Sequence, residues 1–146
     1  MQVIKKVIKI ETETKVDDSV ELSWFDMQKP NLTAVTKNGV EFIIKVKFTH
    51  LHENDILVCE DDYAIEVLKS EDEVFELTFQ TALSFAKTAY EIGNRHQPVC
   101  IEESKITVLD DISLEDIIKT SQEDDNIIVS KTKGYFKPNG KAHHSH

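Results

Sequence analysis

Through the first seventy residues the apolar positions never settle into a helical period; they come in short, β-branched runs separated by turn formers. Val3-Ile4 through Ile10, Leu22 to Phe25, Leu32 to Thr36, Val40 to Phe48, Ile56 to Cys59 and Ala64 to Leu68 read as strands. Lys37-Asn38-Gly39 between two such runs is a hairpin signal, because Asn-Gly accepts the positive φ angles of a tight turn. Glu60-Asp61-Asp62-Tyr63 joins a further hairpin. At Lys69-Ser70-Glu71-Asp72-Glu73 the pattern changes, and this charged stretch reads as a linker.

Beyond it the period switches between 2 and 3.6. Phe75, Leu77 and Phe79 alternate with Glu76, Thr78 and Gln80, as in a half-buried strand. Ala82, Leu83, Ala86, Ala89 and Tyr90 then recur at three- and four-residue spacing and predict a helix with one apolar face, ending at Gly93 as a left-handed C-terminal cap. Val99 to Ile101 and Ile106 to Leu109 are strands. Ser113-x-x-Asp116 is a capping box opening a helix with Leu114, Ile117 and Ile118 inward, and Ile127-Ile128-Val129 is the closing strand. The order β-α-β-β-α-β is that of a ferredoxin-like module. After Val129 order should fade into a tail held by local contacts of Tyr135 and Phe136. The expected fold is α+β: a small all-β domain over 1–71, a ferredoxin-like domain over 72–132 and a flexible, histidine-bearing tail over 133–146.

Composition narrows the partners. With 146 residues each domain has a small core, so association should help to stabilise it. The net charge of −10 opposes sequence-independent binding to nucleic acid or anionic membrane. Acidic runs at Glu60-Asp61-Asp62, Glu71-Asp72-Glu73 and Glu123-Asp124-Asp125 read as solvated turns. No apolar run approaches a membrane span, and Met1-Gln2-Val3-Ile4-Lys5-Lys6 leads into no signal-peptide core, so a cytoplasmic location is expected. Cys59 and Cys100 form no C-x-x-C pair and read as core thiols. Metalloprotease, hydrolase, Walker and dinucleotide motifs are absent, which argues against an enzyme.

The chemistry lies in the histidines. The only arginine, Arg95, precedes His96 in a link between the helix and Val99-Cys100-Ile101, and His143, His144 and His146 fall in the last four residues. A helix C-terminus is the negative end of the macrodipole and favours a cation beside His96. Imidazole suits nickel, copper and zinc, and His144-x-His146 offers two nitrogens from one segment. The competing readings are a hydrogen-bonded structural histidine at 96 and an incidental cluster in the tail. His50-Leu51-His52, with Glu53 and Asp55 nearby, reads as a solvated loop. Arg95 reads as bonded to backbone carbonyls near the helix end.

Gly93-Asn94-Arg95-His96 followed by X-Pro, after a helix and before an apolar strand, resembles the signature of UreE-type urease accessory proteins, the nickel metallochaperones of urease maturation. Asn38-Gly39-Val40-Glu41-Phe42, Asn54-Asp55-Ile56-Leu57, Asp61 to Val67 and Val108-Leu109-Asp110-Asp111 are similar to that family's pattern in the same order. The resemblance implies a homodimer whose two His96 residues meet at the two-fold axis, with metal ligands added from His143, His144 and His146. It implies Ni(II) as transient cargo, with Zn(II) or Cu(II) as competitors, and as partners the urease apoprotein and its other accessory proteins, including the GTPase. Some members carry a second histidine pair where this chain has Lys105-Ile106-Thr107-Val108. A zinc- or copper-binding storage or sensing protein, or an interaction module with incidental histidines, are the alternatives.

Overall fold

The structure, a computed structural model, describes residues 3–45 and 50–140. The chain divides after Ser70 into two units. In the first, Lys5–Glu11 (β1), Asp18–Leu22 (β2), Leu32–Val35 (β3), Glu41–Ile44 (β4), Ile56–Cys59 (β5) and Ala64–Lys69 (β6) form one sheet in the order β2-β6-β5-β1-β4-β3. Strand β5 is buried at every position, which explains the unbroken apolar run Ile56-Leu57-Val58-Cys59. One side of the sheet packs Phe42, Leu57, Ile65 and Val67 with Val20, Leu22, Met27 and Leu32, and Ile56, Val58 and Ala64 form a smaller cluster. The Asn38-Gly39 turn joins β3 to β4: Gly39 has φ +83°, Thr36 N–H donates to Val40 O, and Gly39 N–H donates to Thr36 O. The end of the expected Val40–Phe48 strand, residues 46–48, lies outside the described residues.

Leu22 to Phe25 is not a strand. Strand β2 stops at Leu22, and Trp24–Met27 makes a single helical turn (α1) whose first turn is capped by Ser23 Oγ, accepting from Asp26 N–H at 3.1 Å. The cap overrides the β propensity of Trp24 and Phe25 and turns Met27 into the core.

A single buried carboxylate ties distant parts of this unit together. Asp18 Oδ1 accepts from the Ser19 and Asn38 N–H groups at 2.8 and 3.3 Å, and Oδ2 accepts from Tyr63 Oη at 2.8 Å. Burial by itself would push the Asp18 carboxyl up; hydrogen bonds from Thr36, Tyr63 and the two amides outweigh it and hold the group below the ordinary carboxylate range. Because the folded pKa is depressed, this contribution to stability is complete above the unfolded value and is lost as pH falls through the folded one. Tyr63→Phe should cost about 1 kcal/mol in urea denaturation at neutral pH. Asp18→Asn should be destabilising at pH about 7, with the gap to wild type narrowing as the solution is taken below about pH 4. A gap independent of pH would show that the carboxylate charge is not what holds the turn.

The second unit follows a linker of only Ser70 and Glu71, shorter than the charged stretch suggests, because Asp72 and Glu73 already belong to a strand. Its elements are Asp72–Phe79 (β7), Ala82–Asn94 (α2), Val99–Glu102 (β8), Lys105–Leu109 (β9), a 3-10 turn at Ile112–Leu114, Glu115–Gln122 (α3) and Ile127–Gly134 (β10). The strands make an antiparallel sheet ordered β10-β7-β9-β8. Leu77, Phe79, Ile106, Val108 and Ile127 from the sheet meet Ile92, Leu114, Ile117 and Ile118 from the helices in one core. Phe79 and Phe85 pack edge to face, with centroids 5.2 Å apart.

Three expectations are corrected. The buried side of α2 carries Thr88 and Ile92, with Phe85 and Ala89 partly buried, whereas Leu83 and Tyr90 are 65% and 69% exposed. Two apolar strips of the same spacing coexist on this helix, and the one containing the larger ring partner for Phe79 faces the core. The capping box at Ser113-x-x-Asp116 does not form: Asp111 Oδ1 accepts from Ser113 N–H and Oγ at 2.8 and 2.6 Å, capping the 3-10 turn instead. Order does not fade after Val129. Strand β10 runs to Gly134, pairing at every residue with β7, Phe136 is 2% exposed, and Gly140 bridges Val99. Lys131, Thr132 and Lys133 look like tail because the exposed edge of a sheet tolerates polar residues, but their backbone groups are held by the ladder. The ordered chain therefore extends well past the expected domain end at 132, and 133–140 are not tail.

Candidate metal centre

Thr81 starts α2, its Oγ1 accepting from Ser84 N–H at 3.2 Å. The helix does not end at Gly93. It continues through Gly93 and Asn94, Arg95 takes the C-cap with φ −90°, and His96 adopts the left-handed conformation with φ +55°. Arg95 N–H donates to Ile92 O at 3.0 Å and His96 N–H to Gly93 O at 3.1 Å, so the last carbonyls are satisfied by the link itself. A histidine thus occupies the position that glycine usually fills, at a backbone cost of about 1 kcal/mol. Its side chain is exposed at the negative end of the helix.

Arg95 supplies the restraint. Its Nη1 donates to Ser113 O at 2.6 Å and to Asp116 Oδ1 at 2.9 Å, and Nη2 donates to Asp116 Oδ2 at 2.6 Å. This fork ties the end of α2 to the start of α3. The hydrogen bond from Arg95 holds the Asp116 carboxyl below the ordinary range, and the same bond raises the guanidinium further. A backbone carbonyl was the expected partner of Arg95; the structure adds a carboxylate that the sequence had suggested as a helix cap. The available signal was the lone arginine at the end of one helix and the acidic residues Glu115 and Asp116 in the first turn of the next.

The other candidates separate. His143, His144 and His146 lie outside the described residues. Among the described residues no three His, Cys, Asp or Glu side chains come close enough to hold a metal ion. Cys59 is buried, but Cys100 is only partly so and is not a core thiol. Burial and the nearby Glu102 push the Cys100 thiol up, away from the thiolate a metal needs. His52 is exposed in a turn, its N–H donating to Asp55 Oδ2 at 2.8 Å and its Nδ1 3.7 Å from the same oxygen, while Leu51 between the two histidines is buried. Lys105, at the strand position where a second histidine pair was found wanting, pairs with Glu76 at 2.9 Å.

A β unit followed by a β-α-β-β-α-β unit, with an exposed histidine in left-handed backbone conformation just past a helix end, defines a two-domain α+β protein. The chain belongs to the UreE urease accessory protein family: the family's N-terminal domain model matches residues 2–69 and its C-terminal domain model residues 72–146. It is 70% identical over 144 residues to the urease accessory protein UreE of Aliarcobacter butzleri, covering 99% of this chain and 97% of that one. The UreE of Halalkalibacterium halodurans is 31% identical over 137 residues, 94% of this chain and 93% of its own. The family is one of accessory proteins that serve urease maturation, not of urease itself. Among the described residues no helix is long and apolar enough to cross a membrane.

The backbone at position 96 makes a testable demand. His96→Gly should be more stable than His96→Ala by about 1 kcal/mol, because only glycine enters the left-handed region without a Cβ penalty. Urea denaturation of the two variants measures this, and equal stabilities would show that the link relaxes out of φ +55° at no cost.

Proposed function

We propose that this protein carries Ni(II) as cargo and hands it to apo-urease during assembly of the urease active site, and that His96 is the ligand on which the carrier site is built. The observation that carries the reading is the exposed His96, its backbone held just past the C-terminal end of α2, in a chain of this family. One imidazole is too few for a metal site, so the reading takes His96 from each protomer of a homodimer and further nitrogens from His143, His144 and His146. Two features support it. The exposed strip of Leu83 and Tyr90 runs along α2 toward the His96 link and is apolar enough to seat a second copy. Gly140 is hydrogen-bonded to Val99, three residues from His96, so Gly140 itself lies within about 10 Å of the link.

In this reading the C-terminal unit is a ferredoxin-like module for metal binding and dimerisation, and the N-terminal unit binds a partner. The partners are apo-urease and its other accessory proteins, including the GTPase, in the cytoplasm. A site open to solvent and built from histidines releases metal readily, which suits a carrier better than a store. Imidazole also accepts Zn(II) and Cu(II), so competition of Ni(II) against Zn(II), with transfer to apo-urease, separates delivery from zinc or copper storage or sensing.

Metal binds neutral imidazole, and a free histidine titrates near about 6.5, so binding should weaken as protons compete. Titration with Ni(II) should give high affinity at pH about 8 and release by about 5.5, more steeply than a single proton would produce. His96→Ala, checked as folded by circular dichroism, should lose the high-affinity event at both pH values. Retained affinity in that variant would remove His96 from the site. Sedimentation should give a metal-free dimer that Tyr90→Asp dissociates; a strictly monomeric wild type at micromolar concentration, with and without Ni(II), would overturn the shared site.

A further inference from the structure

Helices α2 and α3 run antiparallel: Arg95 at the end of α2 is tied to Asp116 at the start of α3, and just before α2 Gln80 N–H donates to Asn126 O, past the end of α3, at 2.9 Å. Between these ties the helices leave a groove of about 500 Å³, with Ile117 and Ile127 buried in its lining. Two more lining residues are polar at core depth. Thr88 of α2 is 8% exposed and Ser121 of α3 3%, and neither hydroxyl has a hydrogen-bond partner among the described residues. A hydroxyl at that depth ordinarily has one. Among the described residues no fully occluded side-chain oxygen lacks a partner, so these two oxygens open into the groove. The rim above them is charged. Lys87 and Glu91 stand four residues apart on α2, both exposed and both lining the groove, and they form no ion pair with each other; Glu91 only adds to the negative field around Arg95. The order of the two explains this, because glutamate before lysine at that spacing pairs well and lysine before glutamate poorly.

We propose that this groove is a binding site for a free α-amino acid. The ligand's carboxylate meets Lys87, its ammonium meets Glu91, the hydroxyls of Thr88 and Ser121 take up its remaining hydrogen bonds, and its side chain lies over Ile117 and Ile127. A small zwitterion is the ligand class that answers both rim charges. An anion alone would face Glu91, Asp116 and Asp124, and a cation alone would face Lys87 and Arg95. Side chains four apart on a helix start about 5–6 Å from each other, close enough for the adjacent ammonium and carboxylate of one amino acid to bridge them. A groove of this volume suits a small molecule. None of these residues is a metal ligand in the reading above, so the inference goes beyond it and stands apart from it.

The test is an NMR titration of the metal-free full chain with L-leucine and with L-glutamine, one apolar and one amide side chain. Backbone amide shifts at Lys87, Thr88 and Ser121 should saturate with at least one of them, at a Kd of about a millimolar. Leucinamide, which lacks the carboxylate, and isocaproate, which lacks the ammonium, should bind about tenfold more weakly than leucine. Lys87→Met and Glu91→Gln should each weaken binding about tenfold. Exchanging the pair, Lys87→Glu with Glu91→Lys, keeps the net charge but puts the two in the order that pairs, and should lose binding as far. Thr88→Val and Ser121→Ala should weaken binding about fivefold while raising the urea midpoint, since each removes an unpartnered buried hydroxyl, so the loss cannot be read as unfolding. Shifts that do not saturate by about 20 mM with either amino acid would overturn the proposal and leave the groove a hydrated surface. Equal binding of leucinamide or isocaproate, or wild-type affinity in the exchanged pair, would overturn it as well.

Discussion

The second unit depends on β7 being hydrogen-bonded along both sides. Its eight residues pair throughout with β10, and Val74 to Thr78 pair with β9. Strand β8 in turn pairs with β9, so β7 and β9 together order the sheet. The alternation of Leu77 and Phe79 with polar residues gives the sheet one side on which the helices rest, and Phe79 receives Phe85 of α2. With α2 seated, its C-terminal end must reverse into β8 over few residues, and the reversal falls on His96. The left-handed histidine is thus a consequence of where a helix and an edge strand have to meet.

The fork from Arg95 to Ser113 and Asp116 belongs to the same constraint. A surface pair of this kind contributes little to stability when isolated. Its value here is geometric: it joins the C-terminal end of α2 to the start of α3 across the two strands that separate them in the chain. Arg95 holds the end of α2, and the next residue, His96, makes the left-handed turn away from it.

Much of this was legible in the sequence, and the exceptions have physical causes. The positions of most strands, the Asn38-Gly39 turn and the inward residues of α3 follow from local pattern, because burial there is decided by short-range periodicity. The geometry around Arg95 and His96 was not legible. Gly93 looked like the helix cap, yet a glycine can remain helical when a tertiary bond beyond it fixes the stop, and Arg95 supplies that bond. The outward strip of α2 was misassigned because Ala82, Leu83, Ala86 and Tyr90 have the same period as the strip that is buried. The region from Lys131 to Gly140 was read as tail because an edge strand and a crossing segment carry few apolar residues; what holds them is backbone pairing and one amide side chain, which leave no hydrophobic signature. Residues 141–146, and with them the histidines His143, His144 and His146, lie beyond what the structure describes.

The ladder between β7 and β10 also orders events during synthesis. All strand partners of the first unit are in hand once Ser70 has been made, so that unit can close while the rest of the chain is still being translated. The second unit cannot. Its first strand, β7, waits for one of its two neighbours until Ile127–Gly134 emerges, and β8 waits for its edge to be covered until Asn139 and Gly140 follow. Long sequence separation between paired strands slows folding, and here β10, more than fifty residues after β7 begins, is the strand that completes the pairing of β7. A ribosome stalled or a chain cleaved before residue 134 would leave β7 with an open edge, exposed to pairing with another molecule.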